Sequence, residues 1–429
     1  MKKNRTKRAL AEARFASGRS ASTTESRVPK LLLEGRQALR ELVLANGLKV
    51  FAEMLEEDRT LLCGPRHQPS AERSAYRHGH DEGRLVFGGR KIRLSKPRVR
   101  SVGGEEMELP TWREMADEDP LHHRIVEQIL LGVSSRGYEG SLEPVPEEIP
   151  TAGTRRSSVS RRFTARTAEQ ARAFLSRPLD ALDLPVVLVD GTGLGDHVLL
   201  VALGIDSSGK KHVLGVSIGT TENEQVCRSL FRNLIERGLV TERARLFVID
   251  GGKGIRKAIR STFGSWAVIQ RCQIHKLRNV AEYLPKHRQA WVKAAMRRAW
   301  RAGTEAQARH RLEDLAAQLS DEHPDAAASI REGLAETLTV IRLGLGGGLL
   351  QTLRSTNPIE NLQGTTQRIV RNVKRWRGGA MALRWCVTAL IEAEKKFRRV
   401  KGHREMPQLL AALEAEVNKN VVDTKEQVA

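Results

Sequence analysis

PVVLVDGTGLGDHVLLVALGIDSSGKKHVLGVSIG, residues 185–219, holds three short apolar runs in quick succession. Pro185–Asp190, Val198–Ile205 and His212–Ile218 are each rich in Val, Ile and Leu, and Asp206-Ser207-Ser208-Gly209 separates the last two. Runs of that length bounded by Gly, Asp and Ser read as strands joined by tight turns, so the stretch predicts a three-strand antiparallel meander. Downstream, residues 222–237 read as a helix and Leu246–Asp250 (LFVID) as a strand buried on both faces. Lys253–Phe263 reads as a second helix and Ala267–Cys272 as a further strand.

The resulting order, βββαβαβ, describes an α/β fold with a mixed, ribonuclease-H-like sheet. Arg278 to about Ala317 and Asp325–Leu343 are helical in pattern, and Gly344–Gly348 breaks the chain before another helix near Asn357. An all-helical insertion therefore divides the core. Upstream, apolar positions from Leu39 to Leu55 predict two short helices split at Asn46-Gly47. Arg84–Arg100 predicts a hairpin around Gly88-Gly89 with Arg90, Arg93, Lys96, Arg98 and Arg100 facing outward. Such a ribbon suits phosphate contact, or is a solvated β edge with gatekeeper charges. A helix around Ile125 and Ile129, a turn region at Gly132 and Gly137, and a helix from Ser157 carrying Arg161, Arg162 and Arg166 suggest a helix-turn-helix. A plain solvated helical pair is the other reading. The expected domains are a basic mobile arm (1–28), amino-terminal helices and hairpin (29–111), the helix-turn-helix-like module (112–180), the first part of the core (181–278), the insertion (279–350), the second part of the core (351–402), and a terminal helix with tail (403–429).

Lys and Arg number 72 against 51 Asp and Glu, a formal charge of +21 spread along the 429 residues. That balance is the footprint of a polyanion-binding protein. Aromatic residues make up only 4%, too few for an extended surface of stacked single-stranded bases, so duplex backbone contact is expected. The four cysteines lack disulfide or zinc-ribbon spacing, and no apolar run reaches the ~18 residues that span a bilayer. A cytoplasmic location is expected.

Asp190 ends the first run and Asp250 the fourth, each followed at once by glycine. In a sheet of this order those strands are neighbours, which brings two carboxylates to one sheet end. Clustered carboxylates select hard cations, and Mg²⁺, or Mn²⁺ in its place, keeps water positions open for phosphate oxygens. Two such ions ~3.5–4 Å apart stabilise the attacking and leaving oxygens of an in-line displacement. Aspartate before glycine is also an ordinary turn residue.

The third ligand is expected to be Glu360. Ser355-Thr356-Asn357-Pro358-Ile359-Glu360 reads as a helix entry with Asn357 as cap and Pro358 in the first position. A helix running on to Trp376 puts Glu360, Gly364, Gln367, Arg371 and Lys374 on one face, and Leu362, Ile369, Val373 and Trp376 on the other. A capping-box role alone is the bland alternative for Glu360. Cys272-Gln273-Ile274-His275 is half a zinc motif with no second half nearby. His275 is instead expected to start a helix beside the carboxylates, touching the scissile phosphate or ordering the metal site. Lys253, Arg271, Lys276, Gln367, Arg371 and Lys374 are the expected DNA contacts of the core, alongside Arg90, Arg93, Arg98, Arg100, Arg161 and Arg162.

Three blocks resemble the Mutator-like bacterial insertion-sequence transposases, DDE enzymes with a ribonuclease-H-like core. They are Val189-Asp190-Gly191, Val248-Ile249-Asp250-Gly251 leading to Arg271-Cys272-Gln273-Ile274-His275-Lys276, and Ser355-Thr356-Asn357-Pro358-Ile359-Glu360-Asn361. The resemblance spans about residues 185–399, with Tyr76-Arg77-His78-Gly79 similar to the family's amino-terminal part. It implies that Asp190, Asp250 and Glu360 are the metal-binding triad. It further implies binding of terminal inverted repeats, release of a 3′-hydroxyl by hydrolysis, strand transfer into target DNA, and a homodimer. The sequence departs from the family at Asn361 and Gln363, and in the proline-rich stretch Pro144–Pro150. The competing readings are a structure-directed nuclease on the same fold and a DNA-binding protein with a decayed core.

Overall fold

The computed structural model describes residues 27–68, 73–116, 120–146, 149–219 and 224–426, so nearly all of the expected arm at 1–28 lies outside the described residues. The chain divides into two compact units. The first holds the described residues up to Leu121 together with Arg136–Arg155, and the second holds His122–Ser135 and the described residues from Arg156 onward.

In the first unit, helix α1 (Arg27–Cys63) is followed by strands β1 (Ala75–Phe87), β2 (Arg90–Ser101) and β3 (Glu106–Met107), with the short helix α2 (Pro110–Ala116) after them. The β1–β2 register pairs Phe87 with Arg90, leaving Gly88 and Gly89 as a two-residue turn with φ of 57° and 80°. Both values lie in the left-handed region that glycine takes without strain, as the reading of the hairpin requires. Phe51 and Leu55 of α1 pack on Leu85, Val99, Leu109 and Trp112. The expected break at Asn46-Gly47 does not occur, because α1 runs through it. Gly47 packs closely instead: a Cβ there would stand 3.1 Å from the Phe87 ring of the hairpin.

Helix α3 (Pro120–Leu130) and helix α4 (Arg156–Ser176) are both present, but the short turn of a helix-turn-helix does not join them. The chain between runs through a 3-10 turn at Glu139–Ser141 and the short strand β4 (Thr151–Ala152), which pairs with β2. Pro144, Pro146 and Pro150 lack amide donors and disfavour helix in the residue before each, which keeps this connection extended.

The second unit is built on a five-stranded sheet. Strands β5 (Val186–Leu194), β6 (His197–Ile205) and β7 (Lys211–Gly219) form the meander; helix α5 (Glu224–Glu236), strand β8 (Arg245–Ile249), helix α6 (Lys253–Phe263) and strand β9 (Ala267–Arg271) follow. The order is β7-β6-β5-β8-β9, antiparallel on the meander side and parallel on the other. Val187, Val189, Leu200 and Ala202 meet Phe231, Leu234, Ile259 and Phe263 of α5 and α6 in one core. Alternation turns Leu188, Asp190 and Thr192 to the opposite face.

Seven helices then run without an intervening strand: α7 (Gln273–Glu282), α8 (Lys286–Ala299), α9 (Glu305–Leu319), α10 (Pro324–Arg331), α11 (Leu334–Thr337), α12 (Thr339–Arg342) and α13 (Gly347–Leu353). Those from α7 to α12 share a separate core that includes Val280, Val292, Leu312 and Ile330. Buried polar bonds stitch this body to β9: the Gln270 amide donates to the Thr337 carbonyl and accepts from Val340 N, and the Thr339 hydroxyl donates to the Ile269 carbonyl. Helices α14 (Asn357–Val370) and α15 (Gly379–Glu394) return to the sheet, and α16 (Met406–Glu426) closes the described chain. Among the described residues no helix is long and apolar enough to cross a membrane.

Candidate active site

β5 and β8 are adjacent and parallel with Val189 opposite Ile249, so Asp190 and Asp250 follow at the same level of neighbouring strands. Asp250 stands just past the end of β8, but Asp190 does not end its strand as expected, because β5 runs on to Leu194 paired with β6. Asp190 is 8% exposed, and its carboxylate accepts from Gly191 N at 3.0 Å. Asp250 accepts from Gly252 N at 2.8 Å, which shapes the entry to α6. Gly251 between them has φ +108°, and a Cβ there would overlap the guanidinium of Arg271. The turn and the packing thus both demand glycine.

Glu360 arrives on α14 from the far side of the helical body. The cap of that helix is Thr356, not Asn357, which places Pro358 second and Glu360 fourth in the helix. Thr356 spends its hydroxyl on Glu360 itself, donating to Oε1 at 2.7 Å, and so holds the carboxylate in place. One helical turn onward the Gln363 amide donates to the Gly191 carbonyl (3.1 Å), and a further turn on the Gln367 amide donates to the Gly193 carbonyl (2.7 Å) and contacts the Thr192 hydroxyl (3.2 Å). Residues 360, 363 and 367 share a helix face, so these two amides lay α14 along β5 and bring Glu360 to the Asp190 face.

Cys272 and His275 complete the cluster. The buried Cys272 sulfur caps α7, accepting from His275 N (3.5 Å), and it also accepts from Thr356 N (3.4 Å), while the Thr356 hydroxyl, whose proton goes to Glu360, lies 3.3 Å from it. His275 Nδ1 lies 3.3 Å from that hydroxyl and 4.0 Å from Glu360 Oε1. The hydrogen bond to Cys272, then the charges of Cys272, Glu360 and Asp190, raise the His275 pKa above the ordinary imidazole value despite burial. Burial pushes the Cys272 thiol up, but its hydrogen bonds to His275 and Thr356 outweigh this and lower it. Donor atoms of Cys272, His275 and Glu360 already lie within 4.8 Å of one another; among the described residues the three carboxylates do not gather that tightly.

A family model described as "Transposase, Mutator family" matches residues 23–400. The chain belongs to that family. It is similar to the transposase for insertion sequence element IS6120 of Mycolicibacterium smegmatis, 29% identical over 67% of this chain and 87% of the relative. The transposase for ISRM5 of Rhizobium meliloti is 28% identical over 90% of this chain and 95% of its own length. The transposase for IS256 in transposon Tn4001 of Staphylococcus aureus is 26% identical over 74% and 81%.

Several basic residues of this Mutator-family chain that were expected to meet DNA are committed to the protein itself. Arg271 is 5% exposed and Lys276 1% exposed, and both bond to Glu332. Arg271 is wedged between Gly251 and Gly333, where an added Cβ would stand 2.7 Å from its Nη1. It is a strut between the Asp250 turn and the helical body. Burial, aided by the neighbouring Arg271 charge, drops the Lys276 pKa to about 8. Arg90 is buried and donates to the Glu143 carbonyl. Arg98 is bidentate on Glu106 at 2.8 and 2.7 Å, Arg100 lies 3.6 Å from the same carboxylate, and Arg93 lies 3.4 Å from Glu82. Arg161, Lys253, Arg371 and Lys374 are exposed and Arg162 is half-buried. Arg371 and Lys374 do not continue the Glu360 face, because α14 ends at Val370 and the chain turns away to place Trp376 against Gly195. Val373 and Trp376 leave the helix with them. At Gly364 a Cβ would meet nothing within 4 Å, so no protein contact asks for glycine there. Thr356 and Gln363 escaped the sequence reading, although Thr356 stands one helical turn ahead of Glu360 and Gln363 within one turn after it.

Proposed function

We propose that this protein is a DDE transposase that binds the terminal inverted repeats of an insertion sequence, cleaves the element ends and joins the freed 3′-hydroxyl to target DNA. The catalytic core is read as ribonuclease-H-like, with the helical body from α7 to α13 as its insertion. What supports the reading above all is that Asp190, within β5, and Asp250, just past the end of β8, follow the paired Val189 and Ile249 of adjacent parallel strands while two glutamine amides hold the Glu360 helix along β5. The relatives' names, all transposases for insertion sequences, favour the same reaction.

The donor set fits divalent cations. Three carboxylates from separate segments of the fold are hard oxygen ligands, the donor type that such ions take while keeping water. Asp190, Asp250 and Glu360 would hold two Mg²⁺ ions, which when bound supply activation of the attacking water or hydroxyl and charge relief at the leaving oxygen. The protein's own groups do the rest. Thr356 fixes the rotamer of Glu360, Arg271 and Gly251 fix the Asp250 turn, and His275 presents a ring nitrogen beside Glu360, where it can hold a proton or a phosphate oxygen. A homodimer on paired element ends follows from the same reading.

The test is cleavage of labelled candidate ends by the purified chain. Asp190→Asn, Asp250→Asn and Glu360→Gln are each expected to lower Mg²⁺-dependent nicking by about a thousandfold or more, with end binding changed by no more than about threefold. A variant that nicks at the wild-type rate removes its residue from the triad. Chelation is expected to abolish nicking, and Mn²⁺ to restore it.

A further inference from the structure

The second unit carries another concave site away from the carboxylates. A groove of about 890 Å³ opens between the end of α3, the face of α4 and the segment that joins α14 to α15. Phe163, Met381 and Trp385 line it together with Trp376. Phe163 and Trp385 support each other, with ring centroids 4.7 Å apart. Trp376 is half-buried and stands on Gly195, where a Cβ would come within 2.6 Å of its ring. Two of the chain's six tryptophans therefore meet in one groove, in a protein otherwise poor in aromatics.

The charge around these rings is of one sign. Arg156, Lys374, Arg375 and Arg377 belong to the lining, and no lining residue is acidic. Lys374, Arg375 and Arg377 form no ion pair among the described residues. Arg384 differs, being tied to the Thr167 hydroxyl at 2.7 Å and lying over the Phe163 ring. An apolar peptide would leave those cations unanswered. A flat ring joined to phosphates answers both halves of the site, by stacking on indole and by pairing with arginine.

A base inside a duplex cannot reach such rings, so it must leave the stack, as it does wherever a protein handles a single base in a closed pocket. The groove volume lies within the ~300–1,000 Å³ typical of ligand sites and exceeds the bulk of one base. It is also within reach of the reaction centre. Gly195, in the turn that follows β5, lies five residues beyond Asp190, roughly 17 Å at ~3.3 Å per residue, which is about five steps of duplex DNA at ~3.4 Å each.

We propose that the groove receives one extrahelical nucleotide of the bound DNA, its base stacked on Trp376 and its flanking phosphates held by Lys374, Arg375 and Arg377. The proposal rests on the transposase reading above. The experiment uses the full chain and two labelled duplexes, one fully paired and one with a single central unpaired thymine, compared by fluorescence anisotropy at low salt. The wild type is expected to prefer the bulged duplex by about tenfold, the scale of one base stacked on an aromatic face. Trp376→Ala is expected to erase the preference while leaving affinity for the paired duplex within about twofold, and Trp376→Phe to keep most of it. Ser160→Trp, which fills the groove from α4 with every wall intact, is expected to erase it as well. Equal binding of both duplexes by the wild type overturns the proposal, as does a preference that survives both Trp376→Ala and Ser160→Trp. If Trp376→Ala alters only self-association, read by sedimentation, the groove belongs to a second copy of this chain and the proposal falls. A wild type that binds neither duplex overturns the transposase reading with it.

Discussion

Thr356 shows how much of the site depends on a single hydroxyl. It is fully buried, donates to Glu360 Oε1, and contacts both His275 and Cys272. Valine keeps its shape and removes only the hydrogen bonds, so Thr356→Val is expected to lower the nicking rate by about tenfold through a misplaced carboxylate, with DNA affinity unchanged. Thr356→Ser restores the hydroxyl and is expected to recover most of the rate; a serine variant as slow as the valine one would show that packing, not the hydroxyl, matters here. Gly251 makes the complementary case. Alanine there takes a positive φ and displaces Arg271, a combined penalty expected at roughly 2–4 kcal/mol in a denaturant titration. Nicking should fall further than the lost stability explains, because the Asp250 turn moves with Arg271.

At the scale of elements, the seat of α14 on β5 decides where Glu360 points. The Gln363 and Gln367 amides bond strand carbonyls of Gly191 and Gly193, one of them at the exposed edge of the helix. The paired change Gln363→Leu with Gln367→Leu keeps bulk and removes both bonds. It is expected to cost about 1–3 kcal/mol of stability and to lower the nicking rate by roughly a hundredfold, with Mg²⁺ demand shifted to higher concentration. Unchanged metal dependence in that double variant would mean that the helix finds its place without the amides. The same reasoning explains why Arg371 and Lys374 leave the Glu360 face. Trp376 packing on Gly195 ends the helix geometry, and that pairing joins residues far apart in the chain.

For the whole molecule, the excess of positive charge sets how binding responds to salt. With +21 distributed over the chain, several phosphate contacts are expected even though Arg90, Arg271 and Lys276 are spent internally. Each contact contributes about −0.9 to the slope of log affinity against log salt. A slope of about −5 or steeper on duplex DNA is expected, and one near −1 would mean that the charge serves solubility, not binding.

Periodicity and composition alone carried the sheet. Apolar runs of strand length mark β5 and β8, and Asp250-Gly251 marks the end of β8, because a strand buried on both faces leaves little room for polar residues until it emerges; β5 instead runs on past Asp190 to Leu194 along β6. The hairpin was equally legible, since two adjacent glycines between alternating residues have one favoured turn. Both are local properties, written within a few residues. Other features are set by partners distant in the chain. Gly47 looks like a helix breaker until the Phe87 ring is seen against it, and Arg271 looks like a DNA contact until Glu332, 61 residues later, is found beneath it. The amino-acid sequence by itself determined the strands, the acidic residues they carry and the sign of the expected partner's charge, because these need only nearest neighbours and a sum. Tertiary structure alone decided which cations are free, where α14 ends and what holds Glu360, because burial and hydrogen-bond pairing exist only once distant segments meet.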